Sequence, residues 1–316
     1  MVGSKLRVGV VGVGYLGQFH ARIYARMPDV ELVGVADVNA QLAAETAANY
    51  GCAAYSEASQ LLDKIDAVSI VVPTVSHLKV ARPFLQRGVH MLMEKPLAPS
   101  YEEALQLVEL AEHAGVVFQV GHLERFNAGV MALAERAADP RFIEVHRLGT
   151  FVERATDVDV VTDLMIHDID IVMSLIKSEI KEVAATGLSV MTSHTDIANA
   201  RIEFTNGAVA NVTASRVSNK KQRRIRVFGK NTYYALNYID QQVEVVRAQP
   251  SQDGAMRPEI ILEQLEIKLK PPLDAELEEF VNCVRLSKTP LVTGRIGLEA
   301  LKVALLVKEK INACLP

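Results

Sequence analysis

The sequence has no tryptophan and only three cysteines, Cys52, Cys283 and Cys314, which lie far apart and form no CxxC pair. An odd, dispersed set argues against a disulfide framework and a thiolate metal site, and suits the reducing cytoplasm. Long apolar runs are missing too. The opening Met-Val-Gly-Ser-Lys-Leu-Arg leads into Val8–Val13, which glycines break up at once, so neither a secretion signal nor a membrane span is expected. Neither sign of charge dominates: 34 Lys and Arg face 38 Asp and Glu, a net charge of −4 that gives no electrostatic reason to expect a nucleic-acid partner. What remains is an ordinary globular mixture, 49% hydrophobic and 23% charged, in 316 residues without repeats or low-complexity segments. That length exceeds the roughly 250–300 residues at which one hydrophobic core stops growing, so two domains are expected.

From Leu6 to about Val120, short β-branched runs alternate with longer amphipathic stretches. Strands are predicted at Leu6–Val11, Val30–Ala36, Ala67–Val72, Val89–Met93 and Val116–Val120. Helices are predicted over Leu16–Met27, Ala40–Tyr50, Ser76–Arg87 and Tyr101–Ala114. Gly51, Gly88 and Gly115 stand where three helices should stop, and Ser100 with Glu103 where the fourth should start. Strands apolar along their length and joined by helices imply a parallel sheet covered on both faces, a doubly wound α/β domain.

The first strand runs into Gly12-Val13-Gly14-Tyr15-Leu16-Gly17, with a helix immediately after. In this setting Gly12 permits a tight turn, Gly14 lets a pyrophosphate reach the backbone, and Gly17 lets helix and strand pack closely. Asp37 ends the second strand, where a ribose 2′-hydroxyl needs an acceptor. Its carboxylate disfavours a 2′-phosphate, and Val38, Asn39 and Ala40 supply no basic clamp, so NAD is favoured over NADP. A methyltransferase using S-adenosylmethionine can share this loop, but the features further along the chain disfavour it.

The fifth strand ends in Glu94-Lys95-Pro96-Leu97-Ala98-Pro99. Ligands bind beyond the carboxyl ends of such strands, and two prolines keep Lys95 on a stiff extended segment. Lys95 is then either a proton-transfer group beside the nicotinamide or a solvated loop charge. The stretch Val160–Met173 predicts a helix apolar nearly all round, interrupted by Asp163, His167 and Asp170 at spacings of four and three. A polar stripe on a buried helix implies either a wet pocket or a structural hydrogen-bond chain. Asp163 and His167 also have metal-ligand spacing, but no convincing further ligands accompany them, so no metal is expected.

Together these segments resemble the Gfo/Idh/MocA family, named for glucose-fructose oxidoreductase and inositol dehydrogenase. The resemblance spans nearly the whole chain. It includes Gly12-x-Gly14-x-x-Gly17 with His20, Ala36-Asp37, Pro73-Thr74 with His77, Glu94-Lys95-Pro96, and Gly121-His122-x-x-Arg125-Phe126-Asn127. Asp163-x-x-x-His167-x-x-Asp170 and Val292-Thr293-Gly294 complete it. It implies an N-terminal Rossmann domain over residues 1–121. Residues 122–316 would form a C-terminal α/β domain with an open, mostly antiparallel sheet, one face of which meets a partner subunit in a homodimer or homotetramer. Strands are accordingly read at Phe142–Val152, Glu182–Val190, Ala198–Phe204 and Ala208–Ser215, the last after an Asn206-Gly207 hairpin turn. Further strands follow to Leu269, and helices at Glu276–Leu286 and Leu298–Ala313 close the fold.

The same resemblance implies roles for individual residues. Lys95 and His167 would act on a substrate hydroxyl, with Asp163 orienting the substrate or His167. Gly12, Gly14, Tyr15, Leu16, Asp37, Thr74, His77, Glu94 and Lys95 would touch the cofactor. His122, Arg125 and Asn127 would line the substrate side. Two departures stand out: Val160-Val161-Thr162 where the family often has glycines, and Ala128 where it commonly has proline. Within the family, the segments around Arg125 and His167 and the basic run Lys220–Arg226 look like UDP-N-acetylglucosamine 3-dehydrogenases. That resemblance implies oxidation of a sugar C3 hydroxyl on a nucleotide sugar. The basic run would contact a diphosphate, or else be a solvated strand edge that deters sheet pairing. An inositol or free-sugar dehydrogenase of the same family and a non-catalytic NAD-sensing regulator are the alternatives.

Overall fold

The computed structural model describes residues 4–152, 158–249 and 259–313, so Cys314 lies outside the described residues. The chain divides into two compact units. The first runs to Leu123 and includes Leu273–Glu299; the second holds Glu124–Pro272 and the segment from Ala300 on. The expected boundary between Gly121 and His122 falls two residues before that division, and no local sequence signal announced the return of Leu273–Glu299 to the first unit.

In the first unit, β1 (Leu6–Val11), β2 (Val30–Ala36), β3 (Ala53–Tyr55), β4 (Ala67–Ile70), β5 (His90–Glu94) and β6 (Phe118–Gly121) form one sheet. Its order is β3-β2-β1-β4-β5-β6, and all pairings are parallel. The crossovers are α1 (Gly17–Tyr24), α2 (Ala40–Tyr50), α3 (His77–Gln86) and α4 (Tyr101–Ala114). Gly51 and Gly115 cap α2 and α4 in the left-handed region, and Ser100 accepts the Glu103 N–H at the start of α4. The β3 strand was not predicted. At three residues, none of them fully buried, it is too short to show a hydrophobic period. Helix α7 (Pro272–Leu286) inserts Leu277, Phe280, Val281 and Val284 into the core beneath α1. Val292 and Thr293 run antiparallel beside β6, where the Val292 carbonyl accepts the Val120 N–H.

The second unit holds β7 (Phe142–Leu148), β8 (Ile180–Leu188), β9 (Ile197–Phe204), β10 (Val209–Ser215), β11 (Gln222–Gly229), β12 (Thr232–Asn237), β13 (Gln242–Gln249) and β14 (Glu259–Gln264). They order as β14-β13-β12-β11-β7-β10-β9-β8, antiparallel throughout except β7 beside β10. Helices α5 (Ala128–Arg136) and α6 (Ile166–Leu175) pack on the sheet. Alternation buries one face, with Ile143, Val145, Ile225 and Val227 inward. The other face is half-exposed and carries Phe142, Phe228 and Tyr233 in ring contact, with centroids 5.6 and 4.8 Å apart, beside the Arg226–Glu144 pair. Strand β11 lies between β7 and β12, inside the sheet. Reading its basic run as a strand edge is therefore incorrect; a local run of charge carries no information about a strand's neighbours.

A buried ion pair ties α6 to this sheet. Arg147, on β7, points inward among apolar neighbours and donates two hydrogen bonds to Asp168, at 2.7 and 2.8 Å, and a third to Glu124 at 2.8 Å. Both Arg147 and Asp168 are buried. Removing one partner of such a pair leaves an uncompensated charge at a cost of about 3–5 kcal/mol. Urea unfolding of Arg147→Leu is accordingly expected to show a loss of that order, and a midpoint equal to wild type would contradict the assignment.

Candidate active site

Most residues expected at the cofactor gather at one edge of the first unit. Because β1, β2, β4, β5 and β6 are parallel neighbours, the segments that follow them emerge on the same side: Gly12–Gly17, Asp37, Thr74 and His77, Lys95, and His122. This carboxyl edge is where open α/β sheets bind ligands. A cleft of about 390 Å³ at the opposite end of the strands, beside His90, Val117, Lys288 and Arg295, contains none of the candidate residues.

The glycine turn is shaped as its spacing predicts. Gly12 has φ +85°, and a Cβ there would strike the Val71 carbonyl. A Cβ on Gly17 would strike the Gly12 carbonyl, so the first turn of α1 rests directly on the loop. Gly14 is the contrast: it is exposed and nothing lies within 4 Å of where its Cβ would be. That open, side-chain-free stretch before a helix start suits a dinucleotide pyrophosphate. Leu16 precedes the helix without a side-chain cap, and Tyr15 is exposed, its ring edge-on to Phe19 at 5.4 Å. Asp37 accepts the Val13 and Asn39 N–H groups, each at 2.8 Å, which ties the end of β2 to the turn. A carboxylate has about four acceptor sites, so capacity remains for a ribose hydroxyl.

His77 is placed differently from expectation. Its ring is buried, with one nitrogen 3.1 Å from the Leu97 carbonyl and the other 3.0 Å from the Val72 carbonyl. Burial pushes the imidazole below its ordinary value, so it is neutral near pH 7 and donates to only one of the two. Neither nitrogen is left for a cofactor atom; His77 instead braces the loop after β4 against the Lys95 turn. Lys95 itself is half-buried and joined to Pro96 by a cis peptide bond. Glu94 is buried, with His20 Nε2 3.3 Å from its carboxylate. Even Gly121 is shaped by it, since a Cβ there would come within 2.9 Å of the Glu94 carboxyl. His122, next along, is also buried.

In the second unit, Val161–Met165 forms a π-helical turn that leads into α6. The wider turn means that Asp163 and His167 do not have simple α-helical spacing. Both remain half-buried, the pattern of groups lining a polar surface. Asp170 leaves the proposed stripe: it is buried, with Arg125 Nη1 at 3.4 Å. Burial outweighs the pull of the Arg125 guanidinium and leaves its carboxyl raised to about 7. Arg125 is thereby held beside α6. Asn127 serves as a helix cap. Its Oδ1 accepts the Gly129 and Val130 N–H groups, its amide donates to the Tyr238 carbonyl, and the side chain is buried.

Both departures from the family pattern have local causes. The Ala128 N–H donates to Gln241 Oε1 at 2.9 Å, a bond that proline could not make. Val160 and Val161 are fully buried, so their side chains fill core space that glycines would leave empty. In the basic run, Arg223 shares the face of Ile225 and lies 3.7 Å from Glu124, whereas Arg224 reaches Tyr233 on the other face. Asp168 and Arg147 were not singled out from sequence. A second acid one residue beyond His167, on a helix without a polar side, was the available signal.

Comparison with known proteins agrees with this geometry. Residues 6–122 match the model of an oxidoreductase family with an NAD-binding Rossmann fold, and residues 131–235 match the GFO/IDH/MocA C-terminal domain. A UDP-N-acetylglucosamine 3-dehydrogenase of Acidithiobacillus ferrooxidans is 37% identical over 98% of both chains. The solved structure of that enzyme superposes with a TM-score of 0.91 at 36% identity, covering 98% of this chain and 99% of the other. A scyllo-inositol 2-dehydrogenase (NAD(+)) of Bacillus subtilis is 30% identical over 92% of this chain and 89% of its own. The levoglucosan dehydrogenase complex with NADH and levoglucosan shares the fold, with a TM-score of 0.86 at 20% identity over 98% of each chain. Family models that cover both units, and a relative aligned from end to end, place the chain in the Gfo/Idh/MocA family of NAD-binding oxidoreductases.

Proposed function

We propose that the protein is an NAD-dependent dehydrogenase that oxidises the C3 hydroxyl of UDP-N-acetylglucosamine, or of a close nucleotide-sugar relative, to a ketone. The observation that carries this reading is the end-to-end 37% identity with an enzyme of that activity, in a chain that keeps Lys95 and the Asp163/His167 pair. Residues 1–121 would hold the dinucleotide. Residues 122–316 would hold the substrate and the oligomer contact, in a protein of the cytoplasm. Gly12, Gly14, Tyr15, Leu16, Asp37, Thr74, Glu94 and Lys95 would hold NAD, which supplies the hydride acceptor when bound. Asp37 favours NAD over NADP, because a second negative charge beside its carboxylate is repelled.

On the protein side, His167 takes the hydroxyl proton, since an imidazole exchanges protons near neutral pH. Lys95 polarises the same oxygen, Asp163 orients the imidazole or the sugar, and His122 and Arg125 border the substrate. His77 and Asn127 act through the backbone they brace. An inositol dehydrogenase is the second reading, favoured by the Bacillus subtilis relative. Measuring NAD and NADP reduction with UDP-N-acetylglucosamine, free sugars and inositols separates the two readings. A protein that binds NADH and oxidises none of these substrates would be a sensor instead.

Lys95→Ala and His167→Ala are each expected to lower turnover at least about tenfold while NADH still binds. Near-normal steady-state rates in both variants would remove them from the chemistry. Gly14→Ala is expected to weaken NADH binding without moving the unfolding midpoint, because its Cβ meets no protein atom. Gly17→Ala is expected to destabilise the fold by about 1–3 kcal/mol, measured by urea unfolding. The half-exposed aromatic face of the second sheet is the proposed contact in a homodimer or homotetramer. Sedimentation of Phe228→Glu is expected to show smaller species than wild type; an unchanged oligomer would place the contact elsewhere.

A further inference from the structure

One group of buried polar side chains in the first unit has no part in the roles given above. Glu276, on α7, is fully buried, and neither carboxyl oxygen has a hydrogen-bond partner among the described residues. It interacts electrostatically with Glu94 and Glu279 and also with Tyr24 on α1. Gln119, on β6, is fully buried; its amide donates to the Glu276 backbone carbonyl at 3.2 Å, and its Oε1 has no partner among the described residues. His20, on α1, is fully buried beside the Glu94 carboxylate. Tyr24 completes the group, its hydroxyl 2.8 Å from that of Ser69 on β4.

Burying this many polar atoms is costly, and an apolar side chain at position 276 would be the cheaper core. Glu94, the residue immediately before Lys95, pairs with Gly121 across β5 and β6, so Gln119 lies two residues away on the same sheet face, and His20 sits against its carboxylate. We propose that Glu276 is a positioning residue for the Glu94–Lys95 turn: with Gln119 and His20 it encloses the Glu94 carboxylate and so fixes where the main chain delivers Lys95. The proposal rests on the reading that Lys95 acts in the dehydrogenase reaction. Two buried carboxyls facing one another do not both ionise. Burial and the Glu94 and Glu279 carboxylates push Glu276 well above its ordinary value, which favours its protonated form. Glutamine preserves a neutral donor of the same shape, and leucine preserves only the volume.

The sign of the pH effect follows. A carboxyl whose folded value is raised destabilises the fold increasingly as pH climbs above its ordinary range. The titratable groups acting on it are Tyr24, Glu94 and Glu279. The unfolding midpoint of Glu276→Gln, relative to wild type, is therefore expected to rise between pH 5 and pH 8.

The test compares wild type, Glu276→Gln and Glu276→Leu by turnover with UDP-N-acetylglucosamine, NADH affinity and the rate at which acetic anhydride modifies Lys95. Glu276→Leu is expected to keep its NADH affinity, lose at least about tenfold in turnover and change its Lys95 modification rate while other lysines react as before. Glu276→Gln is expected to recover most of both. Wild-type turnover and Lys95 reactivity in the leucine variant would overturn the proposal, as would a glutamine variant as impaired as leucine. Should the leucine variant not fold, Gln119→Leu disturbs the opposite wall, and an unchanged Lys95 rate there is equally fatal. Because Lys95 modification requires no substrate, a wild type that oxidises no sugar defeats the dehydrogenase reading and leaves this comparison interpretable.

Discussion

The cofactor half of the molecule depends on one close approach, that of Gly17 at the start of α1 to the Gly12 carbonyl at the end of β1. With no side chain at either point, the helix begins against the strand it follows, and backbone N–H groups face the open ground around Gly14. Asp37 holds this turn from the side by accepting the Val13 N–H. One carboxylate thus stabilises the loop and sets the sign of charge where the ribose would lie. The neighbouring strand ends inherit their positions from this arrangement, because a parallel sheet aligns everything that follows its strands.

A second constraint organises the other unit. Helix α6 carries acids at 168 and 170 that burial does not tolerate unpaired, and Arg147 and Arg125 answer them. Those pairs set the rotation of the helix and leave His167, with Asp163 on the preceding π-helical turn, half-buried on the remaining polar side. The buried ions of this unit therefore serve to aim other side chains. In the first unit, His20, Gln119 and Glu276 likewise occupy core positions that apolar residues would fill more favourably.

Much of this was legible from local sequence. The αβ alternation, the glycine turn, Asp37 at the end of β2 and the antiparallel second sheet all follow from periodicity, turn chemistry and the family resemblance. The first three are governed by residues close together in the chain, which is the range over which sequence patterns carry a physical signal; the second sheet came with the resemblance. What was not legible has an equally physical origin. His77 and Asn127 carry the right chemistry for a site, and the bonds their polar atoms make to Leu97, Val72 and Tyr238 are contacts no local pattern encodes. The basic run on β11 has the composition of a strand edge, yet β7 and β12 flank it on either side.

By itself, then, the sequence determined the parallel first sheet, the glycine turn and a short set of candidate reactive groups, because hydrophobic period and glycine placement are decided within a few residues; the antiparallel second sheet came from the family resemblance. The tertiary structure alone decided which polar side chains are available and which are committed. Availability depends on partners brought from distant segments: α7 returning beneath α1, Gln241 reaching Ala128, and Arg147 meeting Asp168. A buried polar group must find its counterpart wherever the chain places it, and that placement is a property of the whole fold.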